Sequence, residues 1–177
     1  GVAILVMALG IGATTAIFTL VDAIVLTPLP FQDADRLVGV HHPAPAMGMS
    51  DAGQCAAWHF TYLDETSVFD ELGMFTTDQA SVTGYGDPES VPTFDVTEGV
   101  LKALRIEPAL GRLFGPEEMD PDGPLTIMLS YGYWQSRFGG SRDAIGQTLQ
   151  VDGATREIIG VTPAGFDGLG SNPALIV

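Results

Sequence analysis

From Val2 to Val21 the chain carries no charged residue, and Asp22 is the only one before Asp33. Read as one helix, residues 1–26 (GVAILVMALGIGATTAIFTLVDAIVL) would run about 39 Å, against a bilayer hydrocarbon core of about 30 Å. The segment can span lipid with a turn or two to spare, which would carry Asp22 towards the far interface. Pro28 and Pro30 in TPLPF end it, because proline lacks the amide proton and turns its predecessor away from helical geometry. The expected division is a transmembrane and stalk helix over 1–27 and a water-exposed domain over 28–177.

At 100° per residue, Ala8, Gly12, Thr15, Ala16, Thr19 and Ala23 share one helix face, while Val2, Val6, Ile17, Leu20 and Ile24 lie opposite. Small residues let a second backbone approach closely, which matters in lipid because dispersion contacts drive association there. Asp22 borders this stripe, either as an interfacial residue or as a polar contact to a partner helix. Three rival readings of the segment exist. A cleaved signal peptide has a shorter apolar region and a basic start, neither seen here. A buried helix of this uninterrupted apolar length needs a larger surrounding core than the remaining residues supply. The third rival is a dinucleotide-binding turn, since Gly10-Ile11-Gly12 follows an apolar run and Asp33 lies at a suitable distance. Thr15, however, stands at the third glycine position, and a proline-rich break replaces the strand before the acid.

The remainder is acidic. Seven Lys and Arg stand against 22 Asp and Glu, a formal charge of −15, so the surface repels polyanions and lacks the basic stripe a nucleic-acid binder needs. Anionic headgroups are disfavoured as attachment points for the same reason. The lone cysteine, Cys55, excludes an intrachain disulfide and a four-cysteine zinc site. Among Asp33, Asp35 and Asp51 only Arg36 is basic, and a basic-poor flank suits the outer side of a membrane.

Beyond the prolines, residues 35–42 (DRLVGVHH) read as a short strand and the stretch to Gly53 as a loop. Residues 59–72 read as a short helix leading into a strand, and 73–96 as two β segments joined at 84–88. Thr97 reads as the cap of a helix bearing Val100, Leu101 and Leu104. The acidic run from Glu117 to Asp122 reads as a solvated loop. Residues 125–130 make an apolar strand and 131–138 a helix stopped by Gly139-Gly140. Two β runs flank Asp152-Gly153, a pair suited to the positive φ angles of a type I′ turn. These pieces make an α+β domain of mixed strands and short helices.

Chemistry is sparse. His41, His42, Cys55 and His59 are the one zinc-like ligand set, the last two spaced to share a helical face, but no water-activating motif accompanies them. They are weak metal candidates, equally explained as surface histidines and a half-buried cysteine. Ser130 and Ser136 lie beside aromatic residues with no Gly-x-Ser-x-Gly elbow or evident base. Paired carboxylates such as Asp64-Glu65, Asp70-Glu71 and Glu117-Glu118 are expected by chance among so many acids. There is no Walker motif, so this chain cannot itself draw on ATP. Tyr131, Tyr133, Trp134 and Phe138 read as core and interface aromatics rather than a ligand cage. Neither a catalytic residue nor a cofactor site is nominated. A membrane-anchored or secreted metal-dependent hydrolase is the rival that the histidines and Cys55 keep open.

Six segments in order, ALGIGATTAIFTLVDAIVLTPLPF, DADRLVGV, VTEGVLKALRIEPALGRLF, LTIMLSYGYWQSRFGG, AIGQTLQVDG and EIIGVTPAGF, resemble the MacB-type periplasmic core domain with its preceding first transmembrane helix. That domain belongs to MacB/FtsX-like ABC transporter permeases, and the likeness is nearest to the duplicated permeases of soil bacteria. Thr27 stands where many relatives carry a basic residue. The resemblance implies a mixed α/β extracytoplasmic domain with a βαβ-type lobe and a smaller β-rich lobe, on an inner (cytoplasmic) membrane helix. It also implies a non-enzymatic role, transmitting the motion of a cytoplasmic ABC ATPase to export or release a substrate. The implied partners are that ATPase, a second permease half or subunit, and a periplasmic adaptor. A signalling role, as in cell-division relatives, shares the same fold.

Overall fold

The computed structural model describes residues 1–21, 31–50 and 52–177. The chain divides into two compact units, Gly1–Arg36 and Leu37–Val177. The expected boundary at 27/28, together with Asp22, Ala23, Ile24, Thr27, Pro28 and Pro30, lies outside the described residues.

The first unit is dominated by helix α1 (Val2–Val21), 20 residues long, or about 30 Å. Its span Val2–Leu20 is long and apolar enough to cross a bilayer, and none of it is buried. Three threonines are tolerated because their hydroxyls donate to the carbonyls one turn back, Thr14 to Gly10, Thr15 to Ile11 and Thr19 to Thr15, each at 2.9 Å. Satisfied within the helix, these groups do not require water. Gly10 to Thr15 lie inside continuous helix rather than at a strand-to-helix turn, which removes the dinucleotide reading. Further on, Asp33 takes a positive φ of 53° before a 3-10 turn at Ala34–Arg36.

The second unit begins with a departure from expectation. Residues 37–42 form no strand; their backbone is held locally, Gln54 donating its side-chain amide to the Val40 carbonyl and Ala52 its N–H to the His42 carbonyl. A β-prone sequence becomes a strand only beside a neighbouring edge. Helix α2 (Ala56–Glu65) starts and ends earlier than expected, and 66–74 is irregular rather than extended.

From there the elements are β1 (Phe75–Thr83), β2 (Glu89–Val96), α3 (Glu98–Ala103), β3 (Leu110–Gly111), β4 (Thr126–Leu129), α4 (Tyr131–Phe138), β5 (Thr148–Val151), β6 (Ala154–Val161) and β7 (Leu175–Ile176); all appear in the expected order except the two-residue strands β3 and β7, which the sequence does not announce. Asp152 and Gly153 both have positive φ, 51° and 80°, as a type I′ turn demands. Gly139 ends α4 in the left-handed conformation. Thr97 stands at the N-cap of α3 with extended backbone, as expected, but its hydroxyl accepts from the Met74 N–H at 2.9 Å rather than from the helix. Ser130 caps α4, accepting from the Tyr133 N–H at 3.3 Å.

The strands form one sheet in the order β3-β6-β4-β7-β2-β1-β5, and β5 pairs back onto β6. Hydrogen bonding therefore runs in a ring through β6, β4, β7, β2, β1 and β5. The βαβ-type part is β4–α4–β6, with β4 and β6 parallel; the β-rich part is the β1–β2 hairpin with β5. Both parts belong to this one sheet. Ile127, Leu129, Leu149, Val151, Ile158 and Leu175 build the main core together with Tyr133 and Phe138 of α4. Phe94, Met128 and Ile176, which alternate with core residues along their strands, are fully buried as well. The sheet is thus covered on both faces there.

Candidate functional site

The four weak metal candidates meet different fates. His42 places Nε2 2.8 Å from the Tyr62 hydroxyl, lies nearly parallel to the Tyr62 ring and tilts against Trp58 at 5.5 Å. Its Nδ1 is buried and has no hydrogen-bond partner among the described residues. His59 is buried, and that burial holds its pKa below the ordinary histidine value. Cys55 is exposed at the N-cap of α2 with extended backbone, φ −101° and ψ 156°. The helical face it was expected to share with His59 therefore begins one residue too late. The His41 ring folds back over Gly39. Among the described residues no group of three or more His, Cys, Asp or Glu side chains is arranged to hold a metal ion.

Both serines near the aromatics serve α4 itself. Ser130 is its cap, and Ser136 donates to the Tyr133 carbonyl at 3.1 Å. Tyr133 and Phe138 are buried, and Tyr131 and Trp134 pack against the core from its margin, as their spacing predicts.

A polar knot at the tip of the β1–β2 hairpin was not visible in the sequence. Arg137 of α4 donates to the carbonyls of Tyr85 and Asp87, the latter at 3.1 Å. Its Nε lies 3.4 Å from Glu89 Oε1, and its guanidinium sits 5.9 Å from the centre of the Tyr85 ring. The same Glu89 oxygen accepts from the Tyr133 hydroxyl at 2.7 Å. Burial first, then the Glu89 carboxylate, raises the Tyr133 pKa and keeps the phenol protonated as a donor. Tyr85 in turn stacks on Phe138 at 4.8 Å. The arrangement fixes a turn to a helix.

Val38, Met47, Trp58, Phe60, Leu63 and Val68 are each exposed, and Trp58 and Phe60, two residues apart on α2, face different sides of the helix. A groove of about 410 Å³ lies beside β1, lined by Thr77, Asp78, Gln79, Pro92, Thr93 and Ser171. The carboxyl of Asp95, which pairs with Thr76 across the β1–β2 ladder, is pushed above the usual carboxylate range. Burial is the main cause; the charges of Asp78 and Asp152 add to it, while a Thr93 hydrogen bond and Arg156 oppose it.

Known proteins share this architecture. The periplasmic region of MacB from Actinobacillus actinomycetemcomitans is similar at TM-score 0.59 and 12% identity, over 77% of this chain and 60% of that one. The extracellular domain of the noncanonic ABC-type transporter YknZ from Gram-positive bacteria is similar at TM-score 0.58 and 14% identity, over 77% of this chain and 69% of that one. At these identities the likeness is one of fold, and the match spans about three-fifths of the MacB region's length. No curated protein sequence matches the chain. The family model of the MacB-like periplasmic core domain matches residues 1–177, the whole sequence. The chain belongs to the MacB-like periplasmic core domain family.

Proposed function

We propose that this chain is the extracytoplasmic domain of an ABC transporter permease with its first membrane helix. Residues 1–27 cross the inner membrane and residues 28–177 stand outside it, relaying ATPase-driven motion that exports or releases a substrate. The domain performs no bond chemistry of its own. Its partners are a cytoplasmic ABC ATPase, reached through further permease helices, a second permease half or subunit, and a periplasmic adaptor. One observation carries the reading: the family match runs unbroken through the exposed apolar helix α1 and the closed sheet. A bilayer-length helix leading into a domain of that family is what a mechanical coupling needs, because a rigid sheet passes displacement on without absorbing it.

The test uses the permease carrying this domain, with its cognate ATPase, in lipid nanodiscs. Spin labels at Cys55 of two copies report their separation. The reading expects that distance to change between ATP-trapped and nucleotide-free states, and to stay fixed when the ATPase lacks its catalytic glutamate. A distribution indifferent to nucleotide contradicts it.

A further inference from the structure

Strand β1 is long and one side of it is open. Its ladder to β2 runs from Phe75↔Val96 to Val82↔Glu89 without a shift, whereas β5 pairs only with Val82 and Thr83. Backbone groups along a strand point alternately to its two sides. Ser81 faces the β5 side, donating its N–H to Asp152 Oδ1 at 2.8 Å and accepting from the Asp152 N–H at 2.9 Å. Phe75, Thr77 and Gln79 face the same way. Of their outward groups, only the Gln79 N–H has a partner among the described residues, the Asp78 carboxylate at 2.8 Å.

Native sheets blunt such edges by shortness, proline, lysine or a bulge. The edge strand β3 is two residues long. From Phe75 to Gln79 there is no proline, lysine or bulge, the single charge is that of Asp78, and all five residues are exposed. The charge beside this edge is negative on balance: Asp78 lines the groove, Asp95 lies across the ladder from Thr76, and Arg156 and Asp152 act on Asp95 with opposite signs. Phe75 presents an exposed apolar ring on the opposite face of the strand from Asp78. A second copy of this chain, itself at −15, would bring another Asp78 to the same edge. Charge complementarity selects a basic segment instead.

We propose that the open edge of β1, Phe75–Gln79, accepts an extended segment of a partner protein as an added strand, with a basic side chain set against Asp78 and an apolar one against Phe75. Main-chain hydrogen bonds to the N–H and C=O groups of Phe75 and Thr77 and to the Gln79 carbonyl supply affinity, and the alternating basic and apolar side chains supply selectivity. The surface belongs to the sheet and is independent of the transporter reading.

The test uses the full chain in neutral detergent micelles and a fluorescein-labelled peptide of alternating Lys and Val, seven residues long. Its control has the same charge but is N-methylated at alternate amides. Binding is read by anisotropy, and protection of the Phe75 and Thr77 amides by hydrogen exchange. Thr77→Pro removes an outward N–H without touching the β2 ladder, and Asp78→Asn removes the charge while keeping an acceptor for Gln79. The proposal expects protection at these amides, binding about tenfold weaker for the N-methylated peptide and for Thr77→Pro, and a threefold or greater loss with Asp78→Asn. Equal binding of both peptides, or absence of amide protection, overturns it. So does a concentration-dependent dimer of the chain that Thr77→Pro abolishes, which would assign the edge to a second copy.

Discussion

Replacing Arg137 with alanine tests whether the hairpin tip is tied to α4 by the knot described above. The substitution removes two guanidinium-to-carbonyl hydrogen bonds, to Tyr85 and Asp87, each worth about 1 kcal/mol at a site partly open to water. The ion pair to Glu89 joins side chains that are 27% and 34% exposed, so screening reduces it to about 0.5 kcal/mol. The contact with the Tyr85 ring contributes about 0.5 kcal/mol more. Together the loss is about 3 kcal/mol, with Glu89 left on the Tyr133 hydroxyl alone. Urea unfolding of the full chain in micelles, followed by tryptophan fluorescence, reads it out. With a slope near 2 kcal/mol per molar, the midpoint should fall by about 1.5 M. Arg137→Lys should recover less than half, because an ammonium cannot reach two carbonyls and a carboxylate with the geometry of the planar fork. A midpoint within about 0.2 M of the parent for Arg137→Ala would refute the reasoning.

Leu175 is fully buried in a two-residue strand that joins β2 to β4, so Leu175→Ala should destabilise the sheet by about 3 kcal/mol in the same titration; a cost below about 1 kcal/mol would mean the ring does not depend on β7. Asp95 titrates above its ordinary 3.8 in the folded chain, chiefly through burial. A carboxyl with a raised folded pKa adds stability below its unfolded pKa, and that stability is lost as pH rises through the folded value. Asp95→Asn should therefore be more stable than the parent at pH 7 and should lose that advantage near pH 3.5, as urea midpoints at the two pH values will show.

Local signals made much of the sheet legible. The Asp152-Gly153 turn, the Gly139 stop and the apolar run of β4 each encode their structure within a few residues. What escaped was decided at a distance. DRLVGVHH has strand composition, but no neighbouring edge took it up. Thr97 took the cap position, but its hydroxyl went to Met74, 23 positions away. The knot joins Glu89, Tyr133 and Arg137, and nothing in either segment's period announces the other. Asp78 alternates in a strand as any solvent-facing residue would; its place on an open edge depends on how little of β1 is paired with β5. The histidines and Cys55 were legible only as a composition, and the N-cap position of Cys55 breaks the spacing that made them attractive. Helix α1 was the most legible element because a charge-free run of that length has few ways to be satisfied in water.

The most direct measurement of the whole account is the side of the membrane on which Cys55 stands. Cys55 is exposed and is the chain's only cysteine, so a membrane-impermeant maleimide applied to spheroplasts reports on it alone, with Cys55→Ser as the blank. Labelling of intact spheroplasts is the predicted result, with the protein recovered in the membrane fraction. Labelling only after the membrane is broken would place the sheet in the cytosol and contradict the account.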